Sequence, residues 1–289
     1  NKVRDIDFGV MGSIEGPRGN WKSHIAFFGF SSFHIPRHIY IHDVASGKNT
    51  VWFTSQVPVE TDAITVDQVF YQSKDGTSIP MFLVHRTDFE RSEDAPVLLL
   101  GYGGFAMQMS PFFSALATAI VNAGGVFAVP NLRGGGEFGE AWHRAGMLAN
   151  KQNVFDDFIA AAEYLVHEKY TRPEKIAIYG GSNGGLLVGA FITQRPELFG
   201  AGICYYPLLD MLRYQRFLVG RFWISEYGSS DDVEQFHYLR AYSPYHNVRQ
   251  GTRYPATLFI TGEADTRVDP LHARKMTARL QQANAAETP

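Results

Sequence analysis

Residues 178–187 read I-Y-G-G-S-N-G-G-L-L. One serine lies between two glycine pairs, behind a short apolar run and ahead of helix-compatible apolar residues. The spacing Gly180-x-Ser182-x-Gly184 is that of a nucleophile carried on a sharp strand-to-helix turn, and its chemistry is acyl transfer. The glycines are needed because the backbone there passes close to its neighbours, with no room for a Cβ. The helix start would aim backbone N–H groups at the serine, which suits a developing oxyanion. The letters alone occur by chance, and a plain glycine turn is the competing reading. The strand, turn and helix context favours the nucleophile.

A serine nucleophile needs a base, and the base needs an orienting acid. The expected chain order is serine, acid, histidine. The run A-T-L-F-I-T-G (256–262) is followed by E-A-D-T-R-V-D-P, which puts Asp265 in the turn directly after a strand. Asp265 is the expected acid, with Glu263 and Asp269 as rivals. Asp269-Pro270 reads as the entry to the last helix, with proline at its first position. Of ten histidines only His272 follows Asp265, and it sits in a helical pattern rather than on a loop beyond one more strand. The base is therefore expected downstream of Pro289, and the 289 residues alone are expected to turn over substrate negligibly. Gly134-x-Gly136-x-x-Gly139 and Gly101-x-Gly103-x-x-Ala106 match a dinucleotide fingerprint by letter, but neither has the acid that a ribose requires. No phosphate-loop, H-E-x-x-H or paired C-x-x-C pattern occurs, so neither metal nor cofactor is expected.

The elements that must carry these residues change character near residue 65. Before it, 24–30, 37–44 and 50–54 read as short strands, the last two joined by the turn A-S-G-K-N. These are too few to close a sheet alone. After it, a hairpin turns at Asp75-Gly76. Apolar runs at 97–101, 125–130, 175–180, 201–206 and 256–262 then alternate with helical patterns at roughly 111–123, 153–168, 184–194 and 270–282. Continuous apolar strands separated by helices predict a mostly parallel sheet covered on both faces. Functional residues then collect just beyond the carboxyl ends of the strands.

Composition bounds the rest. The chain has 45% apolar and 19% charged residues and a formal charge of −3, so no strong basic surface favours nucleic acid. Cys204 is the single cysteine, which excludes an internal disulfide. No apolar stretch is long enough to span a membrane. No signal peptide opens the chain, and because it begins at Asn1 the natural start is expected upstream.

Several motifs together carry a family resemblance. They are G-Y-G-G-F (101–105), N-L-R-G-G-G-E-F-G-E-A-W-H (131–143), L-A-N-K-Q-N-V-F-D-D-F (148–158), G-G-S-N-G-G-L-L (180–187), R-P-E-L-F-G (195–200), D-M-L-R-Y (210–214), Y-S-P-Y-H-N-V (242–248) and D-T-R-V-D-P-L-H (265–272). The stretch from about 97 to 280 resembles the catalytic domain of prolyl oligopeptidases, serine peptidases whose α/β-hydrolase domain is capped by a β-propeller. The resemblance implies an α/β-hydrolase fold over 66–289, preceded in 1–65 by strands of a last propeller blade. It implies Ser182 as nucleophile and Asp265 as acid, with the backbone N–H of Asn183 and the Tyr102 hydroxyl holding the oxyanion. Trp223 would stack on a proline ring, with Phe105, Tyr227, Val268 and Leu208 walling the pocket. Arg267 would donate to a substrate carbonyl. The competing reading is ordinary core for each aromatic, and a surface ion pair with Asp265 or Asp269 for Arg267.

The implied activity is a serine endopeptidase cutting short peptides after proline through an acyl-enzyme. Proline-containing peptides would be its partners, without nucleic acid or membrane. The complete protein would be a monomer in the cytoplasm, with the periplasm as the alternative. The sequence departs from the family pattern in lacking the histidine, the final strand, the final helix and most of the propeller. Two rivals stand beside this reading: a related oligopeptidase or esterase of the same fold, and a non-catalytic peptide-binding fragment.

Overall fold

The computed structural model describes residues 6–286. Within them the chain gathers into two compact units. One holds the chain up to Asp67 with Val84–Phe89 and Ser110–Gly125. The other holds Gln68–Leu83, Glu90–Met109 and the chain from Val126 onward.

The first unit is built on four antiparallel strands in sequence order: β1 (Ser13–Gly19), β2 (Ile25–Ser31), β3 (His38–Asp43) and β4 (Asn49–Thr54). Aromatic rings hold its buried face, Phe28 stacked on Tyr40 at 5.2 Å and Phe8 on Phe30 at 4.2 Å. The Asp43 carboxylate caps the β3–β4 turn by accepting from the N–H groups of Ala45 and Ser46. Three of these strands were legible in the sequence, and β1 was not. S-I-E-G-P-R-G has no apolar alternation, and a proline argues against a central strand. It is tolerated because β1 is an edge strand whose register shifts between Glu15 and Arg18. Helix α1 (Ala115–Asn122) also belongs to this unit, with Ser114 accepting from Ala117 N–H at its start.

The second sheet has seven strands: β5 (Ile64–Gln72), β6 (Ser78–Arg86), β7 (Val97–Leu100), β8 (Val126–Pro130), β9 (Ile176–Gly181), β10 (Ala201–Tyr205) and β11 (Ala256–Ile260). Their spatial order is β11-β10-β9-β7-β8-β6-β5, and the pairs among β7 to β11 are parallel. Every residue of β7 and β8 is buried, as expected for strands covered on both faces, whereas β11 alternates exposed and half-buried positions at the sheet edge. The helices are α2 (Glu140–Arg144), α3 (Lys151–His167), α4 (Asn183–Gln194), α5 (Ile224–Tyr227), α6 (Val233–Tyr242), α7 (Pro244–Asn247) and α8 (Leu271–Ala283). In α3, Val154, Phe155, Phe158, Ala161 and Leu165 supply a buried stripe, each large side chain contributing roughly 1.5–3 kcal/mol.

The sequence pattern missed α6, because only Leu239 and Tyr242 of its ten residues are buried and no apolar stripe shows. A capping signal was present: the Asp232 carboxylate accepts from Gln235 N–H three residues on. A buried ionic clamp fixes the loop after β8. The Arg133 guanidinium bonds both Asp157 oxygens and reaches Asp75 in the β5–β6 turn, holding that carboxyl down to about 2.

Candidate active site

The parallel order puts the carboxyl ends of four neighbouring strands side by side, and each contributes. Tyr102 follows β7, Ser182 follows β9, Leu208 follows β10, and Asp265, Arg267 and Val268 follow β11. Trp223 and Tyr227 come from the helical excursion between β10 and β11.

Ser182 has φ 57° and ψ −116°, in the left-handed half of the map that a non-glycine residue enters only under constraint. The constraint is visible. Its N–H donates to Tyr205 O at 3.0 Å, and its carbonyl accepts from Gly185 and Leu186 N–H. A Cβ on Gly180 would come within 3 Å of the Gly184 carbonyl, and one on Gly184 within 3 Å of the Gly101 carbonyl. The glycines flanking the serine are thus demanded by backbone on backbone, and the serine is forced to the apex.

Asn183 is the first residue of α4, where helix geometry leaves the N–H without an intrahelical partner. Its side chain is locked at both ends: the amide N–H donates to Tyr102 O, and Oδ1 accepts from the Tyr227 hydroxyl at 2.9 Å. The Ser182 side chain is one of the groups acting on the Tyr102 phenol. Burial, helped by the negative charge of Glu226, raises its pKa above the usual 10, while Arg267 and Ser182 oppose. It remains a protonated donor at neutral pH, as an oxyanion contact requires.

Asp265 turns one oxygen inward. Its Oδ1 accepts from the N–H groups of Arg267 at 2.8 Å and Val268 at 3.0 Å. Its Oδ2 makes no hydrogen bond among the described residues, which leaves it the acceptor that an imidazole N–H needs. Glu263 is exposed, and Asp269 Oδ1 accepts from Leu271 N–H at the entry to α8, a capping role. Arg267 is exposed and forms no ion pair among the described residues. His272 is buried, its Nδ1 accepting from the N–H of Asp210 at 3.2 Å and, more weakly, of Leu209 at 3.4 Å. Burial lowers its pKa to about 4. It forms no hydrogen bond with Ser182, and among the described residues no other histidine does.

The residues expected to wall a pocket differ in exposure. Trp223 is half-buried and Phe105 keeps part of its surface. Val268, Leu208 and Tyr227 are buried. Tyr227 backs the others: its ring meets Phe105 edge-on at 5.5 Å and its hydroxyl holds Asn183. The hydrogen bonds and ring contacts join Tyr102, Asn183, Tyr227 and Phe105 into one cluster, with Ser182 next to Asn183 in the chain, and Asp265, Arg267 and Val268 into one turn.

Sequence reasoning missed three polar residues under this cluster. Glu226 Oε1 accepts from Phe105 N–H at 2.9 Å, and its Oε2 lies 2.8 Å from His143 Nε2. Lys151 Nζ donates to Gly103 O at 2.9 Å and lies 3.7 Å from Glu226. Burial lowers the Lys151 pKa to about 8, against the pull of Glu226. The loop they grip is strained: Phe105 and Ala106 have φ 56° and 51°. Two left-handed non-glycine residues cost about 1–2 kcal/mol each, and hydrogen bonds to charged groups contribute about 1.5–3 kcal/mol each, so the grip can offset the strain. The signal was a lone acid between two apolar pocket aromatics in W-I-S-E-Y and a lone lysine opening α3.

Residues 111–288 match the prolyl oligopeptidase family. The chain is 41% identical over 288 residues to the prolyl endopeptidase of Elizabethkingia miricola, covering 99% of this chain and 41% of the relative. It is 46% identical over 225 residues to prolyl oligopeptidase A of Galerina marginata, covering 77% of this chain and 30% of that protein. A solved structure from a structural and mechanistic analysis of two prolyl endopeptidases superposes with TM-score 0.95 at 53% identity, over 99% of this chain and 42% of that one. Prolyl oligopeptidase B of Galerina marginata, bound to a 35mer hydrolysis and macrocyclization substrate, superposes with TM-score 0.93 at 39% identity, over 98% of this chain and 41% of that one. The chain thus spans about two fifths of the length of the curated relatives it matches. Its seven-stranded sheet and helices form an α/β-hydrolase fold, and the chain belongs to the prolyl oligopeptidase family.

Proposed function

We propose that Ser182 is the nucleophile of a serine endopeptidase that cleaves short peptides on the carboxyl side of proline. Its hydroxyl attacks the scissile carbonyl, forming an acyl-enzyme and releasing the new amine, and water then hydrolyses the ester. The Tyr102 hydroxyl and Asn183 N–H stabilise the tetrahedral oxyanion. Asp265 Oδ2 orients the imidazole that takes the Ser182 proton, a group this reading requires beside it. Trp223 and Phe105 form an apolar aromatic slot for a ring that carries no N–H, and Arg267, which forms no ion pair among the described residues, donates to the carbonyl before it. Residues 1–65 are the end of a β-propeller domain, and the complete protein acts as a cytoplasmic monomer.

The observation that carries the reading is the strained Ser182 at the head of α4 with the protonated Tyr102 beside it. The test is hydrolysis of a Gly-Pro chromogenic amide beside an acyl ester of similar size, with and without prior labelling by a fluorophosphonate. Amide hydrolysis that disappears as Ser182 is labelled supports the reading. Ester hydrolysis alone points to an esterase, and labelling at another residue removes Ser182 from the chemistry.

A further inference from the structure

The loop from Tyr102 to Ala106 carries an oxyanion donor and a pocket ring within four residues. Four of its backbone groups are held from outside. Tyr102 O accepts from the Asn183 side chain, Gly103 O from Lys151, and the N–H groups of Phe105 and Ala106 donate to Glu226 and Gly134 O. Glu226 lies between Trp223 and Tyr227 on the short stretch that also supplies the pocket. It is 3% exposed, and both its oxygens are engaged, one by Phe105 N–H and the other by His143. Lys151 is 1% exposed, with its ammonium 5.4 Å from the Tyr227 ring centroid. Buried ions are a poor way to fill space, since apolar side chains of similar volume stabilise a fold as well or better. What this cluster does that apolar residues cannot is grip two named backbone groups of one strained loop.

We propose that the Lys151–Glu226–His143 cluster is a positioning device. It fixes the left-handed course of the loop and so sets the Tyr102 hydroxyl and the Phe105 ring together. Oxyanion stabilisation and proline selectivity then depend on one carboxylate that touches no substrate. This rests on the reading of the Ser182 site as that of a proline-directed serine peptidase, and it adds a shared support for the two halves of that site.

The test compares Glu226→Gln, Lys151→Met and His143→Gln in the catalytically competent protein, with Gly-Pro and Gly-Ala amides as paired substrates. Glu226→Gln and Lys151→Met are expected to lower kcat by about 10²-fold, the scale of a misplaced catalytic group. The preference for proline over alanine is expected to fall by about tenfold in the same variants, the scale of one lost pocket contact. His143→Gln keeps a donor to Glu226 and should stay within about threefold of the parent. The groups acting on the Tyr102 hydroxyl are Glu226, Arg267, Tyr206 and Ser182. Removing the Glu226 charge should therefore move the alkaline limb of the pH–rate profile to lower pH. A folded Glu226→Gln with unchanged kcat and selectivity overturns the proposal. So does an equal loss on both substrates with an unmoved alkaline limb, the mark of a purely structural role. If Glu226→Gln does not fold, His143→Ala carries the test: about a tenfold loss with reduced selectivity is expected, and unchanged selectivity overturns the idea. A parent protein that neither cleaves the Gly-Pro amide nor takes the fluorophosphonate at Ser182 defeats the underlying reading instead.

Discussion

The two ends of the site are held by different physics. Around Ser182 the backbone is packed against backbone, from Gly180 on Gly184 to Gly184 on Gly101, and β7, the strand beside β9, is buried on both faces. Around Asp265 the chain leaves an edge strand whose residues are exposed or half-buried, and the carboxylate is held by two N–H groups of its own turn. A Cβ on Gly262 would meet nothing closer than 3.8 Å. The proposed nucleophile and oxyanion donors are therefore preorganised by the fold, whereas the proposed acid is preorganised by a local turn with one oxygen free of hydrogen bonds among the described residues. That division suits the chemistry. The oxyanion contacts must be rigid before reaction, while the acid needs only to direct the imidazole that binds it.

The largest expected effect tests the rigid end. Ser182→Ala should lower turnover of a Gly-Pro amide by on the order of 10⁶-fold while leaving the unfolding midpoint unchanged or raised, because alanine removes the reacting oxygen and little packing. Fluorophosphonate incorporation, read by intact mass, should vanish. Retained labelling at the same peptide would reject the elbow.

The next effect sets the ends against each other with one chemical change. Gly184→Ala gains up to about 1 kcal/mol of helix propensity, but its Cβ presses on the Gly101 carbonyl inside 3 Å. Overpacking costs typically 1–3 kcal/mol or more, so the clash wins and denaturation midpoint and labelling rate should both fall. Gly262→Ala meets no such neighbour and should stay within about 1 kcal/mol of the parent, on the stabilising side if anything. Equal losses at the two glycines would mean that the acid turn is packed as tightly as the elbow.

A pH measurement probes the packing just beyond the acid turn. Burial depresses the His272 pKa to about 4 from the usual 6.5, with Lys275 and Arg213 adding to the shift and Asp210 and Asp269 opposing it. Between those values the unfolded chain binds the extra proton, so stability falls as pH drops from 6.5 towards 4. The loss attributable to this residue is about 3 kcal/mol across the window. His272→Asn keeps an acceptor for the Leu209 and Asp210 N–H groups and cannot titrate. Its urea midpoint should therefore show a shallower acid decline than the parent's. Parallel acid limbs would place the proton uptake elsewhere.

What the sequence made legible follows the same division. The parallel strands, the long helices and Ser182 were readable because buried elements carry continuous apolar runs, and because a backbone-on-backbone turn demands its glycines. Asp265 stood out as a candidate by position alone, directly after β11, with Glu263 and Asp269 as near neighbours, and the hydrogen bonds of the turn distinguish the three carboxylates without assigning a role. Edge strand β1 and helix α6 escaped because neither buries enough surface to impose a period. The Lys151–Glu226–His143 cluster escaped for another reason. Its outer members, His143 and Glu226, lie 83 positions apart in the chain, and a buried ion pair between distant segments leaves no local pattern.

The smallest expected effect separates pocket from core at a residue placed between these extremes. Trp223 is half-buried at the start of the stretch that leads to Glu226 and Tyr227, and no ring contact with another aromatic holds it among the described residues. If its face serves a proline ring, Trp223→Ala removes a stacking contact worth roughly 0.5–1.5 kcal/mol beyond its buried area. Selectivity for a Gly-Pro over a Gly-Ala amide should then fall by about tenfold, mostly through KM, with kcat on the acyl ester nearly unchanged. A Trp223 that only packs would show the opposite signature: both amides would lose equally and the denaturation midpoint would drop by the cost of a core aromatic, about 3–5 kcal/mol. The ester control matters because Ser182, Tyr102 and Asn183 are held without Trp223 through the Asn183–Tyr102 and Asn183–Tyr227 hydrogen bonds. The acylation machinery should therefore survive the loss of the ring.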